Sequence, residues 1–531
     1  MSLYLLNVKH NDTVDYPLFL LRGIFVCSPG CHPTITSANK CTVFQNPSKC
    51  KNKMFFKALI PLQVGANDIK IGCSHASYYL TINRADLNDN RPYVRCIYVV
   101  FDGHDGSFQA PKEVPSNIES ACRRLGLAAR LLQILTAEMV YAETGNRRTF
   151  IFAGDLPPSN YLLRTPASYS SAAVWCVKSK LNYREAQRLS AIELWEHIGR
   201  ELDGFFPEDR NKAKWLTVIS CTEYSPLIGT ETIPLSHEEV ILRTKGYCAL
   251  GTGGLALFGS GTLYTWPEKI DDLKFCLTNT QQVDRQEFLD DSAYRFTYWA
   301  NYTTALGTML HELGHCFDLD HAPRGIMRRG GDDLNLVLAF PPPGKGSLSL
   351  NEGRISHRGL SIFLYKKVTF YENASVDSQN GSVTDWSSSG AIDNVGEAFW
   401  GTEIAQFLSV HRWLTGSTIS TCSCKTIFKK GILRSPCGVK LIQLRIYDDT
   451  CSPNSVKVWN STASIKLPLD AALLQGCVIY HNVLQKPRKQ ITISSILKSA
   501  ICELKTSKLK VVTINIHGDV FQEILNKNNL R

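Results

Sequence analysis

Residues 311–321 read HELGHCFDLDH, and Met327 follows six residues later. His311 and His315 are four apart, so on an α-helix they lie about 40° apart on one face, one turn above the other. Two imidazoles so placed can share one tetrahedral zinc ion. Glu312 stands beside the pair, where a carboxylate aims a water molecule and takes its proton. Leu306, Leu310, Leu313 and Phe317 follow the spacing of an apolar helical stripe turned away from the histidines. The helix is therefore expected to pack one side on a core and present the other to a cleft. His321 lies too far along to stay on that face, which predicts a turn after His315. Asp318 and Asp320 are rival third ligands, since carboxylates also bind zinc. Two histidines at this spacing are often no more than part of a surface or core helix. Glu312, His321 and Met327 in order make coincidence a poor account. The expectation is one zinc ion per chain on His311, His315 and His321, with Glu312 as general base.

The spacing HExxHxxxxxH resembles that of the metzincin superfamily of zinc endopeptidases. There a glycine usually stands three residues after the second histidine, because the turn takes positive φ. This chain has Asp318, and aspartate is one of the few other residues that visit that region at modest cost. Gly325-Ile326-Met327 resembles the metzincin Met-turn, which implies that Met327 packs beneath the ligands without binding the metal. Some metzincins carry a tyrosine two residues further on; here Arg329 takes that place. A metzincin strand positioned like Gly254 to Phe258 edges the cleft and pairs with extended substrate. Residue by residue, an ordinary sheet strand is the stronger reading of that segment.

At 531 residues the chain exceeds one ordinary core, so two to four domains are expected. Hydrophobic content of 44% and charged content of 20% are those of a globular protein. A net charge of +10 is mild for this length, and without a long basic run or zinc-finger array it gives no clear nucleic-acid signal. Asp12 and Asp15 stand where a secretory signal wants basic residues, and Arg22 interrupts the apolar stretch 18–27, so no signal peptide is evident. No run reads as a transmembrane segment; the best, 125–142, carries Arg130, Gln133 and Glu138 at amphipathic spacing. An intracellular location, cytoplasmic or nuclear, is expected, with the 18 cysteines mostly reduced. Cys27, Cys31, Cys41 and Cys50 with His32 form one cysteine cluster, and Cys422, Cys424 and Cys437 another. Their spacings fit no tight zinc module, and scattered buried thiols are the plainer reading.

The expected fold class is α+β and multidomain: a metzincin-like α/β zinc-peptidase domain flanked by β-sandwich-like domains. Residues 1–94 read as an N-terminal β-sandwich-like domain, with a strand from Phe55, a turn at Gly65 to Asp68, and strands after it. Residues 95–416 read as the peptidase domain. It opens with a buried strand from Cys96 to Phe101, an amphipathic helix from Asn117 to Glu143 and a strand beginning at Phe150 to Phe152. A polar insertion spans about 341–394, and a helix from Glu397 to Leu414 is expected to pack under the Met-turn. Residues 417–531 read as a C-terminal β-rich domain.

The zinc motif, the Met-turn, Arg329 to Asp333 and the Trp400 to Trp413 helix together resemble a largely uncharacterised eukaryotic family of zinc metallopeptidases. Asp318 looks typical of that family. Some fungal members carry a jacalin-like lectin domain, which implies glycan binding at the C-terminus, although no sugar-binding residues can be placed here. The leading function is a zinc-dependent endopeptidase acting on protein or peptide substrates. An amidase or narrow aminopeptidase uses the same centre. A binding or scaffold module with a residual zinc site is the reading from another class.

Overall fold

A computed structural model of the chain describes residues 2–26, 34–47, 53–73, 76–87, 91–155, 164–225, 236–322, 324–329, 331–340, 369–371, 398–416, 425–446, 456–460, 464–467, 478–494, 497 and 508–526. It is a mixed α/β protein with several sheets and multiple domains. The polar stretch 341–394 lies outside these residues except for strand Thr369–Tyr371, which pairs antiparallel with Ser2–Leu5.

The centre is a six-stranded sheet in the order Arg164–Thr165, Val174–Asn182, Tyr93–Asp102, Ala213–Ile219, Leu255–Gly259, Ala249–Thr252. Its four inner strands are parallel, and an antiparallel strand closes each edge. Strand Tyr93–Asp102 is apolar on both faces because both are covered, as parallel sheets require. Cys96, Tyr98 and Val100 pack with the long helix Ile118–Thr144, whereas Ile97, Val99 and Phe101 pack with Leu194, Ile198 and Leu202 of helix Ala191–Phe205.

Asn117 caps the long helix by accepting from the Ser120 amide, and Gly145 ends it at φ 72°. The sequence makes this helix amphipathic, but the fold buries nearly all of it. Arg130 pairs with Asp155 at 2.7 Å, the Gln133 amide donates to the Phe150 carbonyl, and Glu138 takes Arg147 at 2.7 Å and Asn7 at 2.7 Å. Arg130, Gln133 and Glu138 each have a partner supplied from outside the helix, which offsets the cost of taking them from water. By length and composition alone this helix is apolar enough to cross a membrane, a feature its polar residues had hidden, yet 89% of the relevant stretch is buried within the protein. The expected strand at Phe150 to Phe152 is only a single bridge, Val94 to Phe152, before a short 3-10 turn.

Near the N-terminus a five-stranded and a four-stranded sheet share one core of Leu3, Phe19, Phe25, Ile60, Ile71 and Ile82. The turn expected at Gly65 to Asp68 falls earlier. Strand Lys53–Pro61 ends, the chain bends at 62–64, and Gly65–Cys73 joins the other sheet. Asn67 fixes the bend, accepting from the Gln63 amide at 2.8 Å and donating to the Gln63 carbonyl at 2.8 Å.

The C-terminal strands form one seven-stranded sheet. Along Ile432–Ile446, Leu441 packs toward the central core, whereas Ile442, Leu444 and Ile446 pack on the opposite side. On the neighbouring strand Lys508–Asn515, Val512 and Ile514 likewise join the central core. This alternation turns Gln443 and Arg445 toward the central domain.

Candidate metal centre

The helix Tyr298–Cys316 carries the motif. Leu306, Leu310, Leu313 and Phe317 are all buried in the central core, as their spacing predicts. The helix ends in two backbone bonds, Asp318 amide to His315 carbonyl at 3.1 Å and Leu319 amide to Gly314 carbonyl at 3.1 Å. This is a Schellman closure, which needs a left-handed residue at the position of Asp318. Asp318 has φ 63°, the conformation the sequence reading requires there. The reversal brings His321 back to the helix.

His311, His315 and His321 converge: one nitrogen from each lies within 4.8 Å of the others, and these three can hold a metal ion. The His311 Nδ1 atom lies 2.7 Å from the Ile326 carbonyl and the His315 Nδ1 atom 2.8 Å from the Leu319 carbonyl. A carbonyl only accepts, so each Nδ1 carries the proton and each Nε2 keeps its lone pair. Burial pushes His311 down to about 4 and lowers His315 as well, so both rings are neutral near pH 7. The two Nε2 atoms face each other at 3.1 Å. Two lone pairs at that distance repel unless a cation lies between them. Imidazole nitrogens bound at about 2.0–2.1 Å to one tetrahedral ion stand roughly 3.3 Å apart. The donor set fits zinc. His311 is buried, His315 half-buried and His321 exposed, so the cluster opens toward solvent on the His321 side.

The rival carboxylates are engaged elsewhere. Asp318 lies 3.2 Å from His411 Nε2 and accepts from Gln522 at 3.0 Å. Asp320 accepts from Arg445 at 2.8 Å and from Lys510 at 2.8 Å. Burial alone would raise both carboxyls; His411 holds Asp318 below its usual range, and Arg445 and Lys510 do the same for Asp320.

Glu312 receives a hydrogen bond of 2.6 Å from the Gly251 amide. Burial pushes its carboxyl up to about 7, against the lowering effect of that bond. Gly251 belongs to edge strand Ala249–Thr252, which the sequence reading passed over. The segment from Gly254 instead forms interior strand Leu255–Gly259, paired on both sides. A Cβ on Gly251 would stand 2.1 Å from the Glu312 carbonyl oxygen, so only glycine lets strand and helix meet. The Gly251-Thr252-Gly253-Gly254 run carried that signal, although by itself it reads as a turn.

Met327 is fully buried, and a Cβ on Gly314 would stand 2.6 Å from its sulfur, so the thioether lies against the helix at Gly314. Gly325, at φ 76°, opens the turn, and Ile326 donates to the Phe399 carbonyl at 3.0 Å. The contact expected from the 397–414 helix is thus made within that stretch, but by Phe399, ahead of the point where the helix begins. The helix itself, Thr402–Val410, reaches the long helix, where Thr402 donates to Glu143 at 2.7 Å. The Arg329 side chain lies outside the described residues, as do Cys27, Cys31, His32, Cys50, Cys422 and Cys424. Cys41 carries a free thiol, whereas Cys437 is disulfide-bonded.

A family described as "Putative peptidase family" matches residues 2–370. The chain belongs to this family. A "Putative zinc metalloproteinase" of Saccharomyces cerevisiae is 24% identical over 348 residues, covering 62% of this chain and 48% of its own length. Another of that description, from Schizosaccharomyces pombe, is 25% identical over 332 residues, covering 61% and 51%. The chain spans about half the length of the curated relatives it matches. Among solved structures, a catalytically inactive OgpA from Akkermansia muciniphila, bound to an O-glycopeptide, aligns at TM-score 0.39 and 12% identity. The alignment covers 85% of this chain and 97% of that one, and a likeness of this strength carries no argument here.

Proposed function

We propose that this chain is a zinc-dependent endopeptidase of the metzincin type, with one ion held by His311, His315 and His321. The observation that carries this reading is the pair of facing Nε2 lone pairs at 3.1 Å, joined by a third imidazole beside a half-buried carboxylate. When bound, zinc supplies Lewis-acid polarisation of the scissile carbonyl and makes water acidic near neutral pH. Glu312 accepts the proton of the attacking water and delivers it to the leaving amine. The Gly251 amide holds one carboxylate oxygen, which orients the other for that transfer. Met327 supports the helix from below. The open side of the histidine cluster supports a catalytic reading over a structural one, because structural zinc sites are closed by four protein ligands. The peptidase unit is taken as 95–416, working in an intracellular setting on protein or peptide chains.

The test is metal analysis joined to cleavage of a peptide library by the native chain and by Glu312→Gln. Stoichiometric zinc and cleavage lost in the variant are expected. Zinc without turnover on a broad library would favour the scaffold reading.

A further inference from the structure

His311 and His315 are fixed by a hydrogen-bonded helix, but His321 is not. It stands on the irregular stretch after the Schellman closure. The backbone bonds that pin this stretch fall to either side: Leu319 amide to Gly314 carbonyl at 3.1 Å, and Ala322 amide to Met327 carbonyl at 2.9 Å. Between them Asp320, the neighbour of His321, is gripped through its side chain by the C-terminal sheet. Arg445 donates to it at 2.8 Å and Lys510 at 2.8 and 2.9 Å, while Arg445 also donates to the Asp318 carbonyl at 2.8 Å.

The two cations are direct cross-strand partners in register, Arg445 opposite Lys510. Like charges placed directly opposite destabilise a sheet. Here the Asp320 carboxylate lies between them and turns a repulsive pair into a receptor for one anion. Arg445 is buried and held in place. Its other nitrogens donate to the Gln443 side-chain oxygen at 3.0 and 2.8 Å, and its guanidinium lies 4.9 Å from the centre of the Phe407 ring. Gln443 in turn donates to the Glu403 carbonyl at 3.1 Å. The receptor is preorganised before Asp320 enters it.

We propose that Arg445 and Lys510 are positioning residues of the metal centre: by clamping Asp320 they hold His321 where it completes the ligand set. The C-terminal sheet, which lies beyond residue 370 where the family match ends, thereby sets part of the affinity for zinc. This rests on the reading that the three histidines bind zinc. Partners that orient a metal ligand are typically worth about 10- to 100-fold in metal affinity.

The experiment uses the full chain and measures zinc affinity by competition with a chromophoric chelator, alongside the melting temperature of the zinc-free protein. Asp320→Asn and Arg445→Met should each bind zinc about 10- to 100-fold more weakly. Arg445→Lys, which returns one cationic donor, should recover part of the loss. Lys510→Met, at a half-buried position, should show a smaller loss and serves if either of the first two fails to fold. Native protein that takes up no zinc overturns the three-histidine reading and the clamp with it. Native uptake with unchanged affinity in Asp320→Asn and Lys510→Met overturns the clamp alone, as does a lower melting temperature without weaker binding.

Discussion

Glu312 sits on the histidine helix, yet a strand fixes its carboxylate. Exchanging it for glutamine keeps the shape and the Gly251 contact but removes the proton acceptor. Glu312→Gln should therefore keep zinc and lose about 10²–10⁴-fold in turnover, read from steady-state cleavage beside metal content. Near-native turnover in the purified variant would remove Glu312 from the base role. Gly251→Ala tests the other end of the same contact. Its Cβ would meet the helix backbone at 2.1 Å, so the strand must move off the helix. Overpacking of this kind costs about 1–3 kcal/mol. Thermal melting should report that loss, and activity should fall further than stability because Glu312 loses its donor. An unchanged melt and rate would mean the strand yields freely.

The histidine helix depends on what lies beneath it. Gly314 faces the Met327 sulfur so closely that a side chain there requires the buried thioether to shift, and Gly325 brings its own backbone against the Phe399 carbonyl. Met327→Leu preserves volume and polarity, so it should cost less than about 1.5 kcal/mol and keep zinc and measurable activity. Gly314→Ala should be worse than Met327→Leu, because the added methyl group drives the turn away from the helix. The comparison needs only denaturant unfolding of the two variants; a reversed order would argue against close packing of turn on helix. The helix end follows the same logic. Asp318 accepts the left-handed conformation that a glycine would take more easily, and in exchange its carboxylate reaches His411 and Gln522.

Three segments far apart in sequence meet at the centre: the edge strand at 249–252, the helix and turn at 298–329, and the C-terminal sheet through Arg445, Lys510 and Gln522. Zinc bound there should stabilise the folded chain as a whole. A ligand at 100 times its dissociation constant contributes about 2.7 kcal/mol. Stripping the protein with a chelator should lower its melting temperature, and restoring zinc should return it. A melt indifferent to chelator and zinc would count against a site formed only in the native fold.

Local spacing determined much of this protein. The i, i+4 histidines, their glutamate neighbour and the apolar stripe behind them follow from helix geometry over a few turns and were legible in residues 306–317, whereas the left-handed conformation at Asp318 was implied by the metzincin resemblance. The long helix from about Asn117 and the buried strand through Cys96 to Phe101 were legible for the same reason. Tertiary structure alone decided the rest. Asp318 and Asp320 read as possible ligands because a carboxylate's partner cannot be seen in sequence; the fold commits Asp318 to His411 and Gln522, and Asp320 to Arg445 and Lys510. Gly251 gave no signal of its own in the sequence because only the helix packed against it explains why it has no side chain. The polar residues of the long helix read as a solvent face because their partners, Asn7 and Asp155 among them, arrive from other elements. Short-range periodicity carries the geometry of one element, whereas a buried charge is satisfied by whichever segment the fold brings to it.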